Sequence, residues 1–144
     1  MMSNSERNLL RVLHYPPIES KIEDGAIRAA AHEDINLITL LIGAAEGGLE
    51  VLNKDGDWIN VSPSSTAIVC NIGDMMQLVT EKKLKSTTHR VIQDKKTESK
   101  PRYSIPFFLH PAPSVNLKSI FNDDDQGILA NEFLNQRLKE IKLY

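Results

Sequence analysis

The stretch Leu49-Glu50-Val51-Leu52-Asn53-Lys54-Asp55-Gly56-Asp57-Trp58-Ile59-Asn60-Val61 reads as two short strands joined by a turn. Its flanks carry branched and aromatic residues that fit a pleated, half-buried surface, and the Lys54-Asp55-Gly56-Asp57 segment supplies turn formers between them. The same texture recurs on both sides. Strands are expected near Leu9 to His14, Ile27 to His32, Leu37 to Ile42, Ala67 to Asn71, Thr87 to Ile92 and Tyr103 to Leu109. Gly47-Gly48 precedes the quoted hairpin, and Ser62-Pro63-Ser64-Ser65 bars continuation of its second strand. The fold class is therefore mainly β, and about eight short strands suit two packed antiparallel sheets.

The tail follows a different period. Ile128, Leu129, Phe133, Leu134, Leu138 and Ile141 recur at three- and four-residue intervals, which predicts a C-terminal helix around 126–143. Asp123-Asp124-Asp125 would favour its N-terminus through the helix dipole. Arg137, Lys139, Glu140 and Lys142 are expected in water while the helix covers one face of the sheets.

A chain of 144 residues fits one domain spanning 1–144 with one core. Seventeen basic and nineteen acidic residues leave a scattered net charge of −2, so no positive stripe points to nucleic acid or an anionic membrane. A small-molecule partner is expected. No apolar run approaches the roughly 18 residues of a membrane span, and the single cysteine, Cys70, has no intrachain disulfide partner. The expected compartment is the cytoplasm, and Cys70 on its strand is expected to be inert and buried.

Ala31-His32-Glu33-Asp34 places an imidazole and a carboxylate two residues apart at the end of an apolar strand, where alternation points both to one face and Glu33 to the other. His89, in Ser86-Thr87-Thr88-His89-Arg90-Val91, can lie beside them in a closed sandwich. Two histidines and a carboxylate cover one face of an octahedral ferrous ion and leave three positions open, whereas a closed tetrahedral zinc site needs a fourth ligand. An isolated His-x-Asp is more often an ordinary pair of polar residues. Arg102 and Ser104, also two apart on one strand face, add a fork and a hydroxyl suited to clamping a carboxylate, although a lone arginine at a strand start is commonly a solvated charge. His14 and His110, the latter at a Pro-flanked strand end, are expected to be structural. Trp58 and Phe107-Phe108 are expected in the core, with Met75 and Met76 filling gaps.

Five stretches in this order carry a family resemblance: Leu10-Arg11-Val12-Leu13-His14-Tyr15-Pro16-Pro17, His32-Glu33-Asp34, Gly73-Asp74-Met75-Met76-Gln77, Lys85-Ser86-Thr87-Thr88-His89-Arg90-Val91 and Arg102-Tyr103-Ser104. From about Leu9 to Pro111 the chain resembles the C-terminal catalytic core of the isopenicillin N synthase-like iron(II)/2-oxoglutarate oxygenases. The resemblance implies a double-stranded β-helix, the cupin-like jelly roll. It implies iron(II) on His32, Asp34 and His89, the distal carboxylate of 2-oxoglutarate on Arg102 and Ser104, and Tyr15 beside that co-substrate. The implied reaction uses O2 and converts 2-oxoglutarate to succinate and carbon dioxide while hydroxylating or desaturating a second substrate. Gly73-Asp74 would form the turn before a short helical piece.

Two departures accompany it. Typical relatives are roughly twice as long, and Leu13 stands where many carry an asparagine that helps hold the co-substrate. The shortness leaves open a non-catalytic jelly-roll binding module or truncated paralogue, and it makes a homo-oligomer an open expectation. A different divalent metal supporting other chemistry is a third alternative, which the Arg102/Ser104 pair and the motif order do not favour.

Overall fold

The computed structural model describes residues 7–17, 27–42, 47–93 and 100–142. Its larger sheet contains β1 (Leu9–Leu10), β2 (Leu13–Tyr15), β4 (Ile38–Ile42), β7 (Val69–Ile72) and β9 (Arg102–Leu109), in the order β1-β9-β4-β7 with β2 also on β9. The smaller sheet orders β3 (Ala29–His32), β8 (His89–Val91), β5 (Leu49–Leu52) and β6 (Trp58–Val61) as β3-β8-β5-β6. Every ladder is antiparallel. From β3 onward the chain passes repeatedly between the sheets, with only the hairpin β5-β6 consecutive in one of them. This alternation is the jelly roll expected from the sequence.

The inward faces meet at Leu41, Leu49 and Val91, with Ala29, Val61 and Val69 packed around them. A second cluster lies below, where Met75 of α1 (Asp74–Val79) meets Leu117 and Ala130, flanked by Phe133 and Leu134 of α2 (Ala130–Glu140). Met75 fills its gap almost completely, being 1% exposed. None of the described helices is long and apolar enough to cross a membrane.

Several local expectations need correction. The strand expected near Leu9 to His14 is interrupted in its ladder, for a reason visible on β9. Leu10 faces Phe107 and Leu13 faces Ser104, so Arg11 falls opposite Pro106. The Arg11 amide donates to the Pro106 carbonyl at 3.0 Å, but proline has no N–H with which to return the bond. At the other end, Ile128 and Leu129 form β11 (Ile128–Leu129), paired with β10 (Asn116–Leu117), rather than the first helical turn. The helix begins at Ala130, so the acidic run lies outside its first turn. Asp125 instead accepts the amides of Ser119 and Gly127 at 2.6 and 3.0 Å, which hold its carboxyl below the usual aspartate range.

Side chains also depart from their expected places. Arg137 is half-buried and donates to Asp74 at 2.9 Å, tying α2 to α1, with Glu140 as a further partner. Burial opposes its charge, yet the two carboxylates hold its pKa above the ordinary arginine value. Cys70 is exposed because it points to the outer face of β7, beside Leu40 on the outer face of β4. Trp58 is half-buried under the Arg90 guanidinium, 4.0 Å from its ring centre, and Phe107 and Phe108 are likewise only half-buried.

Gly73 joins the sheet to α1 where no side chain fits. A β-carbon there would stand 2.1 Å from the Asn36 carbonyl oxygen and 2.5 Å from the Asn36 side-chain oxygen. Gly73→Ala is therefore expected to lower stability by about 1–3 kcal/mol through forced displacement of packed backbone. A urea midpoint unchanged from the parent chain would contradict this packing.

Candidate metal and co-substrate site

His32 ends β3 and His89 begins β8, and the two face each other directly in the ladder. Between Ala29 and His32 the register shifts, as in a β-bulge, so strict alternation along β3 does not hold. The bulge leaves both Ala29, opposite Val91, and His32, opposite His89, on the inner face. The imidazole rings lie 4.3 Å apart, centre to centre. Asp34 arrives from the crossing between sheets, and its Oδ1 stands 3.9 Å from Nε2 of each histidine. One potential ligand atom from each residue lies within 4.8 Å of the others.

Each ring is oriented through its other nitrogen. Nδ1 of His32 is 2.7 Å from the Ala30 carbonyl, and Nδ1 of His89 is 3.0 Å from the Thr87 carbonyl. A carbonyl can only accept, so Nδ1 donates in both rings and Nε2 of each is left facing Asp34. Asp34 is fixed in the same manner. The Thr39 hydroxyl donates to its Oδ2 at 2.6 Å, while Asn36 donates to Thr39 Oγ1 at 2.9 Å and to the Ile38 carbonyl at 3.0 Å. One carboxylate oxygen is thereby occupied and Oδ1 is turned to the histidines. Glu33 points away, as expected, and accepts the Thr88 hydroxyl at 2.9 Å.

Asp34 and His89 have side chains 6% and 9% exposed, whereas that of His32 is 47% exposed, so the site is walled on one side and open on the other. It opens into a cavity of about 360 Å³ between the sheets. Arg102 and Ser104 line the cavity from β9 and are 2% and 3% exposed. The Arg102 Nε donates to the Gly47 carbonyl at 3.1 Å, which fixes the direction of its fork. Tyr15 lies directly opposite Arg102 in the ladder, with the guanidinium carbon 5.3 Å from its ring centre, and Leu13 lies opposite Ser104. The structure thus brings together all six residues singled out in the sequence. A larger hollow of about 670 Å³ lies beside α1 and α2, but it includes none of the three clustered groups.

His14 and His110 stay out of the cluster. His14 stacks on Tyr103 on the outer face, with ring centres 4.7 Å apart. Burial lowers the pKa of the half-buried His110 below the ordinary imidazole value.

Four contributors escaped the sequence reading: Asn36 and Thr39, which hold Asp34, and Arg11 and Arg28, which line the cavity. Thr39 had a visible signal, being the one polar side chain in the apolar run Leu37-Ile38-Thr39-Leu40-Leu41-Ile42. Arg28 had one too, as a lone cation in the apolar approach to His32.

A family model described as the 2OG-Fe(II) oxygenase superfamily matches residues 7–111. The chain belongs to this superfamily. Among superfamily relatives it is 46% identical over 131 residues to a 2-oxoglutarate-dependent dioxygenase of Didymella fabae, an alignment covering 85% of this chain and 39% of that protein. It superposes with a TM-score of 0.83 on a Shewanella oneidensis protein provisionally described as an oxygenase, at 49% identity, covering 100% of this chain and 51% of the other. A full-length Neurospora crassa protein, solved in complex with α-ketoglutarate and thymine, gives a TM-score of 0.83 at 36% identity, covering 93% and 44% of the respective chains. The chain therefore spans about half the length, or less, of these superfamily members.

Thr39→Val keeps the shape of the side chain but removes the donor to Asp34. It is expected to weaken binding of a divalent ion about 10- to 100-fold, in the manner of other supports of metal ligands. Anaerobic calorimetry with Fe(II) or Mn(II) measures the change, and parental affinity in the variant would contradict the role given to Thr39.

Proposed function

We propose that the described residues form a catalytic domain of an iron(II)- and 2-oxoglutarate-dependent dioxygenase that oxidises a small molecule. The observation that carries this reading is the convergence of two imidazole Nε2 atoms and one clamped carboxylate on one end of a cavity whose other wall holds a buried arginine and serine. His32, Asp34 and His89 would hold Fe(II) on one face, which leaves three positions for a chelating co-substrate and O2. The donor set fits that ion, being two neutral imidazoles and one carboxylate with no thiolate. Arg102 and Ser104 would bind the distal carboxylate of 2-oxoglutarate, because a planar guanidinium and a hydroxyl supply convergent donors. Tyr15 would lie alongside and limit the width of the cavity.

When bound, the metal and the keto acid supply the oxidising power, with succinate and carbon dioxide as products of the co-substrate. The protein positions and shields. Thr39 holds Asp34 in one orientation, and the carbonyls of Ala30 and Thr87 hold the imidazoles in one tautomer. Leu41, Leu49 and Val91 give the cavity an apolar wall that restricts water beside the metal ligands. The half-exposed His32 marks the side from which a substrate can approach.

Anaerobic titration of the apo-protein with Fe(II) and then 2-oxoglutarate is expected to produce the weak visible charge-transfer band of the chelate. His89→Ala should abolish the band by removing a ligand. Arg102→Ala should raise the 2-oxoglutarate concentration needed by at least tenfold, in keeping with a charged hydrogen-bond partner worth about 1.5–3 kcal/mol. No band in the folded parental chain would sink the oxygenase reading and favour a non-catalytic binding module. A band unaffected by Arg102→Ala would remove the co-substrate role of Arg102.

A further inference from the structure

Arg28 is a feature of the cavity that the proposed co-substrate does not use. It stands one residue before β3 and four before His32, and its side chain enters the space lined by His32, Asp34, His89, Arg102 and Ser104. Its Nε and one terminal nitrogen are shut off from solvent and meet no hydrogen-bond acceptor among the described residues. Its guanidinium carbon is 5.8 Å from the centre of the Tyr15 ring, and the same ring lies 5.3 Å from the carbon of Arg102. Tyr15 is thus in reach of two guanidinium groups, each offering its π-face a cation.

The charge around the cavity is unbalanced in one direction. Among the described residues that line it, Arg11, Arg28 and Arg102 face a single carboxylate, Asp34. A divalent ion would add two positive charges and dianionic 2-oxoglutarate would remove two, so the described lining residues keep an excess of two positive charges with both bound. Arg11 can discharge part of its share to water, being exposed and resting 5.5 Å from the centre of the Phe108 ring. The enclosed nitrogens of Arg28 cannot. A buried guanidinium donor without an acceptor is costly, and a ligand oxygen is what removes that cost. The span also fits: at about 3.3 Å per residue, the Cα of Arg28 lies at most about 13 Å from that of His32, the bulge shortening the path. A small molecule can bridge a guanidinium and a metal centre over such a distance.

Resting on the oxygenase reading, we propose that Arg28 determines substrate class: the molecule oxidised carries a carboxylate, which Arg28 binds while Arg102 and Ser104 hold 2-oxoglutarate. The carboxylate anchors the molecule at one end, and the bond to be oxidised lies toward the His32 side. Arg28 then contributes to substrate affinity and leaves co-substrate affinity alone, which separates it functionally from Arg102.

The test uses the whole chain, loaded anaerobically with Fe(II) and 2-oxoglutarate. Acetate, benzoate and phenylacetate are each compared with the corresponding primary amide by the rise in thermal midpoint with ligand concentration. At least one carboxylate should bind tenfold or more tightly than its amide. That preference should disappear in Arg28→Gln and survive in part in Arg28→Lys, while the 2-oxoglutarate concentration that half-saturates the charge-transfer band changes less than threefold in both. The lysine variant keeps the test alive if the glutamine variant fails to fold. Three amides binding as well as their carboxylates would overturn the proposal. So would an Arg28→Lys or Arg28→Gln variant that loses 2-oxoglutarate as severely as Arg102→Ala, because Arg28 would then be a second co-substrate anchor. Failure of the oxygenase reading is seen separately, as absence of the band in the parental chain before any probe is added.

Discussion

The hydrogen bond from Thr39 to Asp34, 2.6 Å long and buried, links the two halves of the site. Thr39 belongs to the larger sheet, and Asp34 lies on the connection that arrives from the smaller one. His32 and His89 both lie on the ladder of the smaller sheet. Without a fixed Asp34, that ladder presents two neighbouring imidazoles and no carboxylate. Asn36 extends the constraint, since its amide donates to both Thr39 and the Ile38 carbonyl while its own backbone carbonyl accepts the Met75 amide at 3.2 Å. The Asp74 amide donates to the Asp34 carbonyl at 2.8 Å, so the start of α1 is fastened to the same crossing. The need for glycine at position 73 follows from this fastening, because the helix start presses directly on Asn36. The contacts that fasten the crossing are the same ones that position Asp34.

The two walls of the cavity have different physical characters. The side that carries His32, Asp34 and His89 is built from two imidazoles oriented by backbone carbonyls and a carboxylate whose second oxygen is already occupied. The opposite side is cationic, with Arg102 deeply buried and Arg28 partly so. In the proposed reading, a dianion with its chelating end at a metal on the first side and its free carboxylate at Arg102 would complement both. Tyr15 and the apolar residues between them set the separation and restrict water, which strengthens the electrostatic part of recognition. Leu13, opposite Ser104, is a half-buried apolar element of this wall.

Much of this is legible in the sequence because the relevant signals are local. The hairpin at Leu49–Val61 has matching strands and turn chemistry, and its observed strand limits are those read from the residues. The pair His32 and Asp34, the pair Arg102 and Ser104, and His89 within its strand each stand in short recognisable segments, and the structure brings them to one cavity. Other features depend on partners distant in the chain. Nothing in the residues of β1 and β2 announces that Pro106 will lie opposite Arg11 and break the ladder. Ile128 and Leu129 keep a helical spacing, yet pairing with Asn116 and Leu117 satisfies them as a strand. Arg137 looks like a solvent-facing charge until α2 is laid beside Asp74. Cys70 departs from the burial its residue type suggests, because residue type alone cannot tell the inner face of a strand from an outer face, and the outer face of β7 is open at this position.

The most direct measurement of the central claim is X-ray absorption at the iron edge of the anaerobic Fe(II)-loaded chain, before and after 2-oxoglutarate. The expected spectrum is that of a six-coordinate ion with nitrogen and oxygen neighbours, including the scattering pattern of two imidazoles that is reduced to one in His89→Ala. Addition of 2-oxoglutarate should introduce the signature of a five-membered chelate ring without loss of either imidazole. A four-coordinate ion, a sulfur neighbour, or an imidazole count unchanged by His89→Ala would contradict the assignment of His32, Asp34 and His89 as the metal-holding set.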